Sequence, residues 1–383
     1  MPSIQRVATP LLLVQLLAVA PGVAQSLKVH ESLEVLQERA RRDSNDAAAH
    51  FNLAMGYLSK EKFAPAEAAL QQAVALDPQF AQAFLALSVV RIKDGDYWRA
   101  KRKAGPDSVR AAARASEKYY TKAFLLDPLV DVRIFGSIAW LRGWGDFDGG
   151  VKNLFDGKYA EAYDHFGAEV RRQQKGEGLD EVPPVLLWFR SLAAAHSDKF
   201  DEAAADLMTL ISTTNRLAAT DSAPDDAPLR ANEYRYMLAA IRQRQGKTDD
   251  AIDLYKETIT NDIGLYMAHV RLAAIYEAAK DYPHAVQERM RAVDANPDDA
   301  SLLLDLGVTL GKAGMMPQAE TRLQLAANAN PRDPRPWFWL GLAQMEEGKK
   351  AEARESLTRF LALAPSRYDR QIGMARDRLA QLQ

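Results

Sequence analysis

YMAHVRLAAIYEAAKDYPHAVQERMRAVDANPDD (266–299), ASLLLDLGVTLGKAGMMPQAETRLQLAANANPRD (300–333) and PRPWFWLGLAQMEEGKKAEARESLTRFLALAPSR (334–367) run head to tail and share one length. Pro297, Pro331 and Pro365 end them at intervals of 34 residues. Proline has no backbone N–H and cannot continue a helix, so each marks a stop and a turn into the next helix. Asp77-Pro78 and Asp127-Pro128 punctuate the earlier chain in the same way. Twelve residues before each proline stands a small side chain: Ala66, Ser116, Ala285, Ala319 and Ala353. Five before each come Ala73, Ala123, Ala292, Ala326 and, as the exception, Phe360. Small residues at fixed offsets let two helix backbones approach closely, so these are expected packing contacts.

The pattern resembles the tetratricopeptide repeat (TPR) family, a helix-turn-helix unit reading W-x2-L-G-x2-Y, then A-x3-F, then P. Residues 334–367 supply Trp337, Leu340, Gly341, Ala353, Leu357 and Pro365; residues 300–333 supply Leu303, Leu306, Gly307, Leu310, Ala319, Leu323 and Pro331. Residues 47–80 match through Leu53, Ala54, Tyr57, Ala66, Leu70, Ala73 and Pro78. Residues 232–265 keep Leu238, Ala239, Ala251 and Tyr255, with Ile263 where proline is expected, and 184–217 keep Phe200, Ala203 and Leu207. Residues 129–183 match only through Gly157 to Ala162, and Gly149-Gly150 argues against a preceding helix. Between Ala81 and Pro128 the unit is about 16 residues too long, broken at Gly105-Pro106. Gln174–Pro184 and Thr213–Leu229 read as loops, the second a possible hinge. Arg367–Gln383 is amphipathic and reads as a capping helix, which a stacked array needs at its end.

The resemblance implies an all-α solenoid of about eight helix pairs. The chain divides into residues 1–24, a leader; 25–230, an irregular array with the insertion; and 231–383, a regular array with its cap. Arg6, the apolar run Leu11–Ala20 and small residues up to Ala24 have the layout of a secretory signal cut after Ala24. That run is about half the roughly 20 residues of a membrane span, although retention as an anchor is the alternative. The expected location is secreted or periplasmic.

The 383-residue chain is 48% hydrophobic, enough for a buried core, with 49 basic and 51 acidic side chains. A net charge of −2 argues against a nucleic-acid partner. With no cysteine, disulfide scaffolds, thiolate metal sites and cysteine nucleophiles are excluded. No HExxH, P-loop, GxSxG or strand-linked GxGxxG occurs, and none of the six histidines pairs with another at ligand spacing. Gly145–Gly150 reads as an inter-helix turn and not a calcium loop. Asp249-Asp250 and Asp298-Asp299 read as helix caps. The expectation is therefore no catalysis, no metal and no cofactor, the rival being an enzyme site in 129–183 built on Asp146, Asp148 or Asp164.

In the family, the second, fifth, ninth, twelfth and thirteenth positions of each unit face a groove that binds peptides or helices. Carried over, they include Phe51, Met55, Leu85, Val89, Tyr236, Val270, Leu304, Val308, Arg335, Phe338, Leu342 and Met345. This set is mostly apolar, which fits an amphipathic helix or hydrophobic peptide; Tyr236, Phe338 and Met345 are the expected exposed anchors. A second candidate contact lies in residues 91–122, where ten basic and four acidic residues leave about +6. Arg99, Lys101, Arg102 and Lys103 form its centre and would suit an anionic glycan or lipid surface. The leading reading is a protein-binding adaptor of the cell envelope; a glycan- or lipid-binding module is the alternative.

Overall fold

A computed structural model describes residues 31–100, 106–133, 146–177, 182–218, 230–262 and 264–382. Among them are eighteen α-helices and no strand. The first, α1 (Leu33–Arg42), is followed by eight helix pairs: α2 (Ala47–Leu58) with α3 (Phe63–Leu76), α4 (Ala81–Ala100) with α5 (Pro106–Leu126), α6 (Asp146–Phe155) with α7 (Tyr159–Glu177), and α8 (Pro184–His196) with α9 (Phe200–Ala218). The series continues through α10 (Ala231–Arg244) and α11 (Thr248–Asn261), α12 (Met267–Ala278) and α13 (Tyr282–Ala295), α14 (Ala300–Lys312) and α15 (Met316–Ala329), and α16 (Pro334–Glu346) and α17 (Lys350–Leu363). A 3-10 turn, Ser366–Tyr368, leads to the terminal α18 (Asp369–Gln381). The expected class, an all-α array of packed helix pairs, is the one observed. The helices form two compact units divided after Ile275.

One turn closes seven of the pairs. Glu61, Gly157, Asp198, Gly246, Lys280, Gly314 and Gly348 each have φ between 54° and 78°. The next N–H reaches back five residues, as Met315 N–H does to Leu310 C=O (2.9 Å) and Lys349 N–H to Gln344 C=O (2.9 Å). This left-handed residue and long hydrogen bond satisfy carbonyls that the helix end leaves bare. At the other end of a pair, Asp77, Asp127 and Asp262 accept from the N–H two residues on, at 3.2, 3.1 and 2.8 Å. The carboxylate thus shapes the turn at Asp262 although Ile263 replaces proline there.

In seven of the pairs the second helix carries a buried alanine at the same position. Ala66, Ala162, Ala203, Ala251, Ala285, Ala319 and Ala353 are all fully buried. Opposite lies the eighth position: a Cβ added to Gly307 would sit 2.7 Å from Leu323 Cγ, one on Gly341 2.7 Å from Leu357 Cγ, and one on Gly150 2.5 Å from Phe166 Cε1. Gly150 is therefore a contact residue inside α6 and not a helix breaker. That corrects the expectation of a turn at Gly145–Gly150: from Asp146 onward the stretch is helical, and α6 packs with α7 as a helix pair. The proposed loops also shrink, because α7 runs to Glu177 and α9 to Ala218. The extra length between Ala81 and Pro128 is taken up in two long helices of 20 and 21 residues, with Pro106 opening the second.

Helix starts follow the charge pattern only in part. Asp46, Asp299 and Asp333 accept from N–H groups of their first turns at 3.0, 2.9 and 2.9 Å. Asp249 and Asp250, expected as caps, lie within the first turn of α11 and complement its dipole instead. In the unit after Ile275, Phe338, Leu357, Phe360 and Tyr368 form a cluster that Ala375 and Leu382 of the terminal segment complete. The end of the chain is thus closed by α18, as its amphipathic pattern predicts.

Candidate functional site

The residues expected to line a groove divide by their place in the repeat. Fifth-position side chains are packing residues: Phe51 is 0% exposed, Tyr236 1% and Phe338 3%, and Leu85 and Leu304 are buried with them. Phe51 meets Phe80 with ring centroids 5.0 Å apart, and Phe338 meets Phe360 at 5.1 Å. The expectation that Tyr236 and Phe338 are exposed anchors is therefore corrected: one repeat's fifth position is covered by neighbouring elements of the chain. Val270 is the partly open member of this set. Ninth-position residues stand further out. Met55 is buried, whereas Val89, Val308 and Leu342 are half-buried, as is Met345 at the twelfth. Arg335 is half-buried and chelates the carboxylate of its own cap, Asp333, at 2.7–3.0 Å.

In the unit after Ile275 two of these open positions, Val308 and Leu342, come together. A shallow apolar cleft of about 20 Å³ is lined by Val308, Met316, Trp339 and Leu342, together with Gly307, Ala319 and Glu346. It lies across α14, α15 and α16, so two successive repeats build it. A charge network joins α14, which lines the cleft, to α13 and to the end of α12. Glu277 accepts from Arg289 (3.2 Å), from Thr309 Oγ1 (2.7 Å) and from Lys312, while Arg289 also donates to Asp305 (2.8 Å). Burial opposes ionisation of Glu277, but Arg289 and Lys312 outweigh it and hold the carboxyl below its ordinary range. Every charged group named there has a partner, so the network serves to position helices.

The unit before Ile275 carries a different arrangement on its first helices. Residues 125–133, the end of α5 and the chain after it, lie across them. Tyr236 Oη donates to Leu125 C=O (2.8 Å) and Arg271 Nη2 to Leu126 C=O (2.7 Å). His196 Nε2 lies 3.2 Å from Val130 C=O, and Gln82 Nε2 donates to Asp131 C=O (3.1 Å). Tyr159 Oη donates to Asp131 (3.2 Å) and stacks on the His196 ring at 4.6 Å. This segment is the cover over Tyr236. Three of its holders, Gln82, Tyr236 and His196, occupy second, fifth and thirteenth positions. Sequence reasoning missed it; the apolar alternation Leu126, Pro128, Val130, Val132 was the available signal.

The basic centre cannot be placed: Lys101, Arg102 and Lys103 lie outside the described residues, as does the Arg99 side chain. The leader with its cut after Ala24, and residues 219–229 of the expected hinge, also lie outside. Among the described residues no group of three or more His, Asp or Glu is disposed to hold a metal ion. His50 contacts Ser44 C=O at 3.1 Å, and His284 pairs with Asp281 at 2.6 Å. Of the acidic residues weighed for catalysis, Asp164 lies on α7, and Asp146 and Asp148 lie on α6. No described helix is long and apolar enough to cross a membrane.

Two family models match. A tetratricopeptide-repeat model covers residues 47–80, and the model of the C-terminal domain of cilia and flagella-associated protein 70 covers 190–361. Human protein O-mannosyl-transferase TMTC1 is 25% identical over 137 residues, which is 35% of this chain and 16% of that protein's length. Among solved structures, the C-terminal part of a TPR repeat-containing protein from Cytophaga hutchinsonii superposes with a TM-score of 0.49 at 15% identity, covering 62% of this chain and 87% of that one. A tetratricopeptide repeat protein from Parabacteroides merdae gives 0.43 at 14% identity, over 57% and 79%. MamA from Desulfovibrio magneticus RS-1 gives 0.38 at 19% identity, over 47% and 94%.

Proposed function

We propose that the chain, which is a tetratricopeptide-repeat protein, is a non-catalytic interaction scaffold whose open apolar cleft receives an amphipathic helix or hydrophobic peptide of a protein partner. The observation that carries this reading is the cleft between Val308, Trp339 and Leu342. It is apolar, partly open and built by two repeats, with Met345 half-buried on the same helix as Leu342. A row of apolar side chains one repeat apart suits a partner segment that lays several anchors down in succession. Glu346 at the edge favours a basic residue beside those anchors.

The signal-like stretch up to Ala24 supports placing this scaffold in the cell envelope or outside the cell. The +6 balance of residues 91–122 supports a second contact, with an anionic glycan or lipid surface. The transferase activity named for TMTC1 is not carried over, since the matched stretch is 16% of that protein. A photocrosslinking residue placed at Leu342 tests the cleft against one placed at Met290, which is exposed on α13. The expected result is a discrete crosslinked partner from position 342 and none from 290. Equal labelling from both positions would refute the reading.

A further inference from the structure

In the unit before Ile275 the segment Leu125–Arg133 is held as a peptide ligand is held. Four of its backbone carbonyls meet side chains from the first helices of four different pairs, namely Gln82, His196, Tyr236 and Arg271. Two of these carbonyls, Leu125 and Leu126, end a helix and need partners in any case. Val130 and Asp131 end no helix, yet theirs are met too. Both carboxylates are engaged: Asp127 lies 3.8 Å from Arg271, and Asp131 accepts from Tyr159. Along the segment Leu126, Pro128, Val130 and Val132 are buried, whereas Asp127, Leu129, Asp131 and Arg133 between them are not. The alternate burial runs from the end of α5 through the turn that Val130 N–H closes on Asp127 C=O (3.0 Å) and on to Val132, so one side of the whole segment is seated against the protein.

We propose that residues 125–133 are an intramolecular strap occupying a peptide-binding face, which opens to a partner segment of the same chemistry: apolar residues alternating with carboxylates. The chemistry of exchange favours it. Each hydrogen bond from Gln82, Tyr236 or Arg271 goes to a backbone carbonyl, which any incoming peptide supplies, so replacing the strap leaves no donor unmet. The strap's advantage is its attachment, which acts as an effective concentration on the order of millimolar. A free peptide with equal contacts therefore fails at micromolar concentration until the strap is loosened. This inference stands independently of the cleft in the other unit.

The test uses the full chain and a fluorescent peptide copying residues 125–133, with binding read by anisotropy. The wild type should bind it only weakly. A Val130→Ser, Val132→Ser variant with unchanged helicity should bind at least tenfold more tightly, and adding Arg271→Ala should reverse that gain. A folded variant with no gain overturns the proposal. Hydrogen exchange on the wild type decides independently of whether the variant folds. The Val130 and Arg133 amides, bonded to Asp127 and within the segment to Asp131, should exchange at least tenfold faster than the amides of Leu238 and Ala239 in α10. Equal protection would make the segment part of the core and end the proposal.

Discussion

Seven helix pairs turn on a residue at positive φ, and the side chain placed there is not always glycine. Gly314 and Gly348 fill the position with open space around them, so only the backbone conformation favours glycine there. Lys280 adopts the same conformation at φ 60° with a Cβ. A left-handed non-glycine residue costs about 1–2 kcal/mol, against about 0.5–1 kcal/mol of extra chain entropy lost by glycine. Lys280→Gly should therefore stabilise the protein by up to about 1 kcal/mol, and Gly348→Ala should destabilise it by a similar amount, both read from urea midpoints. His196 gives a second residue-scale test. Burial lowers its pKa, opposed by Asp131 and Asp127 and aided by Arg244. The unfolded chain then binds the proton more readily, so this histidine's contribution is full above its ordinary pKa near 6.5 and declines as pH falls through and below it. The unfolding midpoint should drop between pH 7.5 and 5.5, and His196→Gln should flatten that part of the profile. A steeper drop in the variant would show that other groups carry it.

At the scale of helices, the eighth and twenty-fourth positions decide how closely a pair packs. Gly341 has no room for a Cβ, because Leu357 Cγ already stands 2.7 Å from where it would lie. Gly341→Val should cost about 1–3 kcal/mol through overpacking, and Leu357→Ala in the same chain should recover part of it. Additive losses in that double-mutant cycle would show that the two residues do not share a contact. The terminal helix follows the same logic with larger area. Ala375 and Leu382 complete the cluster of Phe338, Phe360 and Tyr368, and Arg354 donates to Leu382 C=O. Truncation after Ser366 should expose that cluster and unfold α16 and α17 well below the rest, seen as their early loss of hydrogen-exchange protection. The Glu277 network predicts a sharper effect. Removing the carboxylate by Glu277→Ala leaves Arg289 and Lys312 short of a partner and should cost about 3 kcal/mol.

For the molecule as a whole, the repeat fold was legible because its constraints are local and periodic. A proline every 34 residues and an alanine twelve before it identify the pairs, and a tetratricopeptide-repeat model matches residues 47–80, the frame those residues set. The pair α6–α7 was hidden because Gly149-Gly150 reads as a break when seen alone; Phe166, sixteen residues on, is what requires Gly150. The candidate site was half legible. Periodicity finds the faces of the first helices but cannot tell a fifth position from a ninth, since both are apolar and only the neighbouring repeat distinguishes them. Nor could it see that Leu125 and Leu126 meet Tyr236 and Arg271, partners more than a hundred residues away. The proposed scaffold holds its partners at the cleft of Val308 and Leu342. The most direct test is a quantitative capture comparing the wild type, a Val308→Asp, Leu342→Asp variant and a Met290→Asp control, all matched in helicity and melting temperature. The account predicts a protein retained by the wild type and the control and lost from the cleft variant. Retention by all three would contradict it.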